Sequence, residues 1–489
     1  EKLLKGEKMK VGFISLGCSK NLVDTEKTIG IFKANKYEIV NNPKEAETIV
    51  INTCGFIESA KEEAINTILE MAEYKKKKCK YLIVMGCLVE RYKKELQKAI
   101  PEVDLWIKYS EYNSLWEQIE SLLNCGIGNG NNNLKNSDNM HNVAESIIQK
   151  PKTINSESKN TKEINQEDKE KKDNIKKYND FWNVEERVIS TGNNYAYLKI
   201  ADGCSNRCTY CAIPYIRGPQ RSRKMEDIIK EAKKLANEGY KELILIAQDT
   251  TKYGIDIYGK PRLAELLQEL CKIEKIHWIR FLYAYPETID DELIEVVKEN
   301  KKICKYFDIP IQHISDTVLK KMNRQSDGKS IRRLIQKLRK EIPNVVIRTT
   351  VMVGFPGETK ENFEELYNFL KQAKFDKLGC FSYSKEDGTP AARINKQIHP
   401  MTKKSRYNKI MKLQQQISKE NLEQQIGREV EILIEDKAFD GKIYVGRTYM
   451  DVPEIDGIVY ANTDKELSIG EFTQGKIIDV SAYDFIVRV

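Results

Sequence analysis

Three cysteines fall within eight residues, Cys204, Cys208 and Cys211, in the segment DGCSNRCTYCAIPYIRG. One short loop with that spacing delivers three thiolates to one side of a compact metal cluster and supplies no fourth cysteine nearby. Each iron of a 4Fe-4S cube needs a ligand outside the cube, so three protein thiolates leave one iron open to a small molecule. A zinc knuckle closes its tetrahedron with a fourth Cys or His close by, and none lies close to this loop. The remaining alternative is that the three cysteines only pack.

Composition points to a large enzyme of a reducing compartment. The 489 residues suffice for two to four domains. No apolar run reaches eighteen residues, and the opening EKLLKGEKMK is too polar for a secretory signal. Eleven cysteines in such a chain predict a cytoplasmic protein without a membrane partner, its thiols serving metals rather than disulfides. The 81 basic and 73 acidic residues give a net charge of +8, a mild bias that permits an RNA-containing partner without requiring one.

Hydrophobic periodicity divides the chain into four blocks and predicts a multidomain α/β architecture. Over 9–124, the apolar runs VGFISLG, TIVINT and YLIVMG alternate with amphipathic stretches, the βαβ rhythm of a parallel sheet. Residues 125–185 are Asn-, Lys- and Ser-rich with few large apolar side chains, which predicts a low-complexity linker or insertion. Over 190–424, six strand-like runs (NYAYLKIADGC, ELILIAQD, WIRFLY, YFDIPIQ, VVIRTTVMVGF and KLGCFSYS), most of them separated by helical patterns, predict a partial (β/α)6 barrel. From 425 to 489, five short runs divided by Gly, Asp and Asn predict a small all-β barrel.

The first block holds a second constellation. Cys18, Cys54 and Cys87 follow predicted strands in SLGC, NTCG and MGC. The carboxyl ends of the strands of an open parallel sheet share one edge, where ligands bind, so three thiolates scattered in sequence converge on one point. Cys79 precedes its strand and belongs to the opposite edge. The alternative is three buried packing cysteines. As a cluster site, this triad again leaves one iron open.

The C-x3-C-x2-C spacing resembles that of the radical S-adenosylmethionine enzymes, in which the cofactor chelates the open iron through its amino and carboxylate groups. Outside the low-complexity stretch, nearly the whole chain resembles the methylthiotransferases, which join an N-terminal cluster domain, a radical S-adenosylmethionine barrel and a C-terminal TRAM domain. Within that family it looks most like the RimO type. The residues that carry the resemblance are LGCSKNLVDTE at 16–26, YLKIADGCSNRCTYCAIPYIRGPQRSR at 197–223, PIQHISDTVLKKMNR at 310–324, VGFPGET at 353–359, YSKEDGTPAA at 383–392 and DVPEIDG at 451–457. The resemblance implies two 4Fe-4S clusters and a reaction in two stages. A sulfur on the first cluster is methylated, and a 5′-deoxyadenosyl radical made at the second then takes hydrogen from the β-carbon of an aspartate in the twelfth small-subunit ribosomal protein, which collects the methylthio group. A low-potential electron donor and a sulfur source are implied as partners.

Other residues are candidates with open alternatives. Gly354, Gly357 and Glu358 follow a strand and suit the nucleoside end of the cofactor, or form only a turn. Gln248 ends the second barrel strand, at the face where strand ends carry function. Arg348 is a candidate partner for the cofactor carboxylate, or a member of an ordinary ion pair. His313 reads as structural, and Tyr383 with Gly388-Thr389-Pro390 as a border of the substrate channel. The Asp- and Glu-rich last block is expected to repel phosphate and attract a basic ribosomal protein, or only to keep a β domain soluble. The runner-up activity is the same chemistry on a tRNA adenosine; a third reading is a non-catalytic iron-sulfur protein.

Overall fold

The structure, a computed structural model, describes residues 8–125, 181, 187–192, 194–438 and 441–489. Nearly all of the low-complexity stretch lies outside them.

Five parallel strands open the chain: β1 (Lys10–Ser15), β2 (Glu38–Val40), β3 (Thr48–Thr53), β4 (Tyr81–Gly86) and β5 (Leu105–Lys108), in the order β2-β1-β3-β4-β5. β3 is buried at all six positions, as a central strand covered on both faces must be. Alternate side chains divide between two cores. Ile49 and Ile51 meet Ile65 and Ile68 of α2 (Glu58–Ala72) and Leu88 of α3 (Cys87–Ala99). Val50 and Ile83 meet Phe32 of α1 (Ser19–Ala34) and Ile119 of α4 (Leu115–Cys125). The three long apolar runs are β1, β3 and β4. β2 and β5 are too short to have shown a period.

The middle of the chain forms two parallel three-stranded sheets. One pairs β6 (Tyr195–Lys199), β9 (Glu242–Ile246) and β10 (Trp278–Phe281); the other pairs β11 (Tyr306–Gln312), β12 (Val346–Val353) and β13 (Lys377–Ser382). These six are the strands expected from the sequence. Ile279 N donates to Lys302 O at 2.8 Å and Cys304 N to Ile279 O at 2.9 Å, stitching the two sheets edge to edge. A single core cluster, from Leu198 and Leu245 to Ile309 and Val351, runs through both. Between β6 and β9 in sequence, β7 (Ala201–Asp202) pairs antiparallel with β8 (Arg221–Ser222) around the cysteine loop and α5 (Ile213–Arg217).

The last strands, β14 (Glu429–Lys437), β15 (Ile443–Arg447), β16 (Val459–Asn462), β17 (Phe472–Val480) and β18 (Phe485–Arg488), close a barrel in the order β14-β15-β16-β18-β17. Its core merges with Tyr195, Trp278 and Tyr306 at the amino-terminal ends of central strands. The contact is ionic as well. Arg447, fully buried, reaches Glu242 at 2.8 Å and Glu435 at 2.7 Å, and Lys377 reaches Asp451 at 2.7 Å. Tyr306 donates to Asp456 at 2.6 Å. These acids alter the expectation for the barrel surface. Asp451, Asp456 and Glu435 neutralise internal cations and contribute little to the outward potential. Among the described residues no helix is long and apolar enough to cross a membrane.

Candidate active site

The first triad assembles at the carboxyl edge of the N-terminal sheet. Cys18 caps α1 just beyond β1, Cys54 follows β3 directly, and Cys87 follows β4 and opens α3. Gly17, with φ +91°, lets the first two loops touch, since a Cβ there would lie 2.6 Å from Cys54 Cβ and 3.0 Å from its Sγ. Asn21 ties the edge together. Its amide donates to Leu16 O and Thr53 O, both at 3.0 Å, and its Oδ1 accepts from the Cys87 thiol at 3.6 Å. Burial, reinforced by neighbouring cysteines of the triad and opposed by Arg217, raises the Cys54 thiol to about 11 and Cys87 to about 12. Cys18 is exposed at one side. Desolvation by the surrounding protein would raise it too, but Lys20, Arg217 and the amides of Asn21 and Lys20 outweigh that and hold it below its ordinary value. Cys79 lies at the other edge, where its thiol donates to Tyr81 O at 3.3 Å.

The second triad sits beyond the carboxyl end of β6. Gly203, at φ +72°, lets the loop pass so close to Pro219 that a Cβ would lie 2.1 Å from its carbonyl. Cys204 N donates to Gly218 O and Cys211 N to Cys208 O, both at 3.0 Å. The other motifs brace this loop. Thr209 N donates to Met322 O at 3.0 Å, Thr209 Oγ1 to Lys321 O at 2.8 Å, and Ala391 N to Thr209 O at 2.9 Å. Asn206 donates to Asp249 at 2.7 Å, and Arg324 and the Tyr285 hydroxyl stand 3.9 and 3.8 Å from Cys208 Sγ. Burial pushes the Cys204 thiol to about 11 and Cys211 up as well.

Both donor sets suit an iron-sulfur cube. Thiolates are the ligands such cubes take. In each set, crowded cysteines raise one another's pKa, a repulsion that a polycationic core relieves. Among the described residues no three Cys, His, Asp or Glu side chains gather tightly enough for a single metal ion. A cube instead takes its thiolates at separate corners.

One buried guanidinium joins the two triads. Arg217, at the end of α5, donates to Asp202 at 2.8 Å and reaches Asp24 of α1 at 3.2 Å. It also donates to Asn21 Oδ1, the acceptor of the Cys87 thiol, and lies 4.4 Å above the Tyr109 ring. Lys199 completes the knot, reaching Asp202 at 2.8 Å and also Asp24. All four charged side chains are buried, two of each sign. The first triad also touches the loop of the second, because Cys87 packs with Ala212, next to Cys211, and with Ile216. A cleft of about 930 Å³ opens here, walled by Cys204, Cys208 and Cys211 together with Glu90 and Ser110 of the N-terminal block. A second tie lies to one side, where Glu386 accepts from Lys61 at 3.1 Å and Arg91 at 3.0 Å.

Three family models match in the same order: the uncharacterised protein family UPF0004 over residues 10–108, the radical SAM superfamily over 198–370 and the TRAM domain over 426–489. The ribosomal protein uS12 methylthiotransferase RimO of Alkaliphilus oremlandii is 58% identical over 477 residues, 97% of this chain and 98% of its own. That of Acetivibrio thermocellus is 48% identical over 99% and 98%. The chain belongs to the RimO family of methylthiotransferases. A solved structure of the radical S-adenosylmethionine methyltransferase TsrM from Kitasatospora setae, with cobalamin and a [4Fe-4S] cluster bound, superposes at TM-score 0.51 and 11% identity, over 79% of this chain and 77% of that one. That likeness concerns the fold alone.

In this RimO-family chain the other candidates separate. Gln248 joins the site, donating to Asp202 at 3.2 Å. Arg348 does not. It is the third residue of β12, pairs with Asp308 at 2.8 Å and lies 3.7 Å from Asp456, among the residues that seat the barrel at the far ends of the strands. Gly354, at φ +72°, and Glu358 form one closed loop. The Glu358 carboxylate accepts from the Gly354 amide, pairs with Arg406 at 2.9 Å and lies 3.6 Å from the buried His313, so its side chain braces the loop from within. Tyr383 packs edge-on against Phe355. Asn21, Asp24, Lys199, Asp202 and Arg217 escaped the sequence reading. All five lie in segments that carry the resemblance, LGCSKNLVDTE and YLKIADGCSNRCTYCAIPYIRGPQRSR, without a spacing that marks them as site residues.

Proposed function

We propose that this chain inserts a methylthio group at the β-carbon of an aspartate in ribosomal protein uS12, the substrate named for its relatives, and that it does so in the cytoplasm. The observation that carries the reading is the packing of Cys87 on Ala212, next to Cys211, and on Ile216, which brings the first cysteine triad up to the loop of the second. Cys204, Cys208 and Cys211 would hold the cluster that binds S-adenosylmethionine; Cys18, Cys54 and Cys87 would hold the other. When bound, these groups supply a 5′-deoxyadenosyl radical on one side and a transferable methylthio group on the other. The protein's own task is placement. Gln248, Asp202 and Arg217 orient the cysteine loop, and the buried ties hold the two triads at a fixed separation while the substrate enters between them. We read residues 9–124 as the cluster domain, 190–424 as the radical domain with its six strands in a partial (β/α)6 barrel, and 425–489 as the TRAM domain. A low-potential electron donor and a sulfur source complete the system.

Anaerobically purified protein should carry about eight irons and matching sulfide per chain. Mass spectrometry of uS12 and of tRNA, each incubated with enzyme, reductant and S-adenosylmethionine, should find the added methylthio mass on uS12. Product on tRNA alone would replace the substrate by an adenosine. Absence of 5′-deoxyadenosine would leave a non-catalytic iron-sulfur protein.

A further inference from the structure

Four charged side chains line the cleft beside the second triad: Glu90, Arg207, Arg217 and Arg221. Three are engaged. Glu90 accepts from the Ser110 amide and hydroxyl, both at 2.9 Å; Arg217 holds Asp202 and Asp24; Arg221 donates to the Arg217 carbonyl at 3.1 Å. The Arg207 guanidinium is exposed and, among the described residues, makes no ion pair or hydrogen bond. Its backbone, in contrast, is fixed. Arg207 has φ +51°, its carbonyl accepts from Asn323 Nδ2 at 3.0 Å, and the preceding Asn206 is turned inward onto Asp249 and Lys252. A non-glycine residue persists in the left-handed region only where its surroundings over-determine it, and such positions cluster at ligand sites. The pinned loop presents this arginine to the cleft from between Cys204 and Cys208.

We propose that Arg207 is the site that receives the side-chain carboxylate of the substrate aspartate. The inference rests on the substrate reading above and deepens it. A cube ligated by thiolates is a poor neighbour for an anion, so an aspartate entering between two of them needs a fixed cation. A guanidinium grips a carboxylate by two parallel N–H bonds and fixes its plane, which leaves the β-carbon free to face the reacting groups. The carboxylate of S-adenosylmethionine offers the same chemistry, and the experiment separates the two.

The full-length reconstituted enzyme is compared with Arg207→Gln and Arg207→Lys. Probes are uS12, uS12 with its target Asp replaced by Asn, and a fluorescent peptide spanning the target, whose anisotropy reports binding without turnover. Arg207→Gln should raise KM for uS12 by about tenfold or more and weaken peptide binding alike, with partial rescue by lysine. KM for S-adenosylmethionine should not move with it, and the preference of wild type for the Asp over the Asn probe should disappear. Unchanged KM and Asp preference in Arg207→Gln overturn the proposal, as does a rise confined to the KM of S-adenosylmethionine. If wild type leaves uS12 untouched and modifies tRNA, the substrate reading itself falls and takes this inference with it.

Discussion

Arg217 shows how much of the site depends on side chains without cluster chemistry. Two carboxylates, Asp24 and Asp202, are buried against it and Lys199, so the knot is neutral only while the arginine is present. Breaking a buried ion pair from one side costs about 3–5 kcal/mol, because the abandoned charge stays buried. Arg217→Ala should therefore lower the thermal midpoint of the protein sharply in calorimetry. Arg217→Lys, which keeps the charge and loses the fork, should lower it less; equal losses would show that packing rather than charge dominates. At the cysteines the consequence is chemical. Cys204→Ala should abolish 5′-deoxyadenosine formation and remove about half of the iron, whereas Cys54→Ala should remove about half and spare cleavage but stop methylthio transfer, both read by iron analysis and chromatography. The cysteines were legible because ligand arithmetic is local. Arg217 was not, since its partners lie 15 and 193 residues away.

Elements were legible where they bury one continuous apolar surface and obscure where they bury polar groups. α1 is the clearest case. Lys20, Asn21, Asp24, Thr25, Glu26 and Lys27 are all buried, because the helix lies between the N-terminal sheet, with which it shares hydrogen bonds, and the central block, with which it forms ion pairs. Glu26, for example, accepts from Arg187 and Ser190. No hydrophobic period marks such a helix. The acids of the last block were obscure for a related reason, since composition counts acids without saying which are paired inside. Glu242 at the start of β9 makes this testable. Burial would raise its carboxyl, but Arg447 and Arg280 hold it below the ordinary value. A carboxylate depressed in the folded state stabilises fully above its unfolded value of about 4.3 and ceases to do so as pH falls through the folded value. The barrel should accordingly lose amide protection in β14 and β15 below about pH 4 while β3 and β4, set in an apolar core, keep theirs. Hydrogen exchange at pH 3 and pH 7, corrected for intrinsic rates, would show it; simultaneous loss in both regions would point to global unfolding instead.

At the scale of the whole molecule, three blocks recognisable in sequence pack on one another. Most strands of each block were readable from apolar runs, but the placement of the first block on the second rests on ion pairs between distant segments, the Arg217 knot and the pairing of Lys61 and Arg91 with Glu386. Glu386 and Lys61 are buried and Arg91 is half-buried; Arg91 also donates to Gly55 O at 2.8 Å, beside Cys54. Glu386→Gln removes the charge that holds them while keeping the shape. The cysteine loop gains its braces from Met322 and Ala391, so cleavage of S-adenosylmethionine should continue. The first triad, in contrast, should lose its fixed distance, and a misplacement of about 1 Å at a reacting centre is enough to cost up to about 100-fold. The measurable result is uncoupling: methylthio product formed per 5′-deoxyadenosine should fall by roughly tenfold or more at saturating uS12. If the ratio holds while both products decline together, the Glu386 tie supports stability alone, and the separation of the triads is set by the Arg217 knot and the Cys87 contact without it.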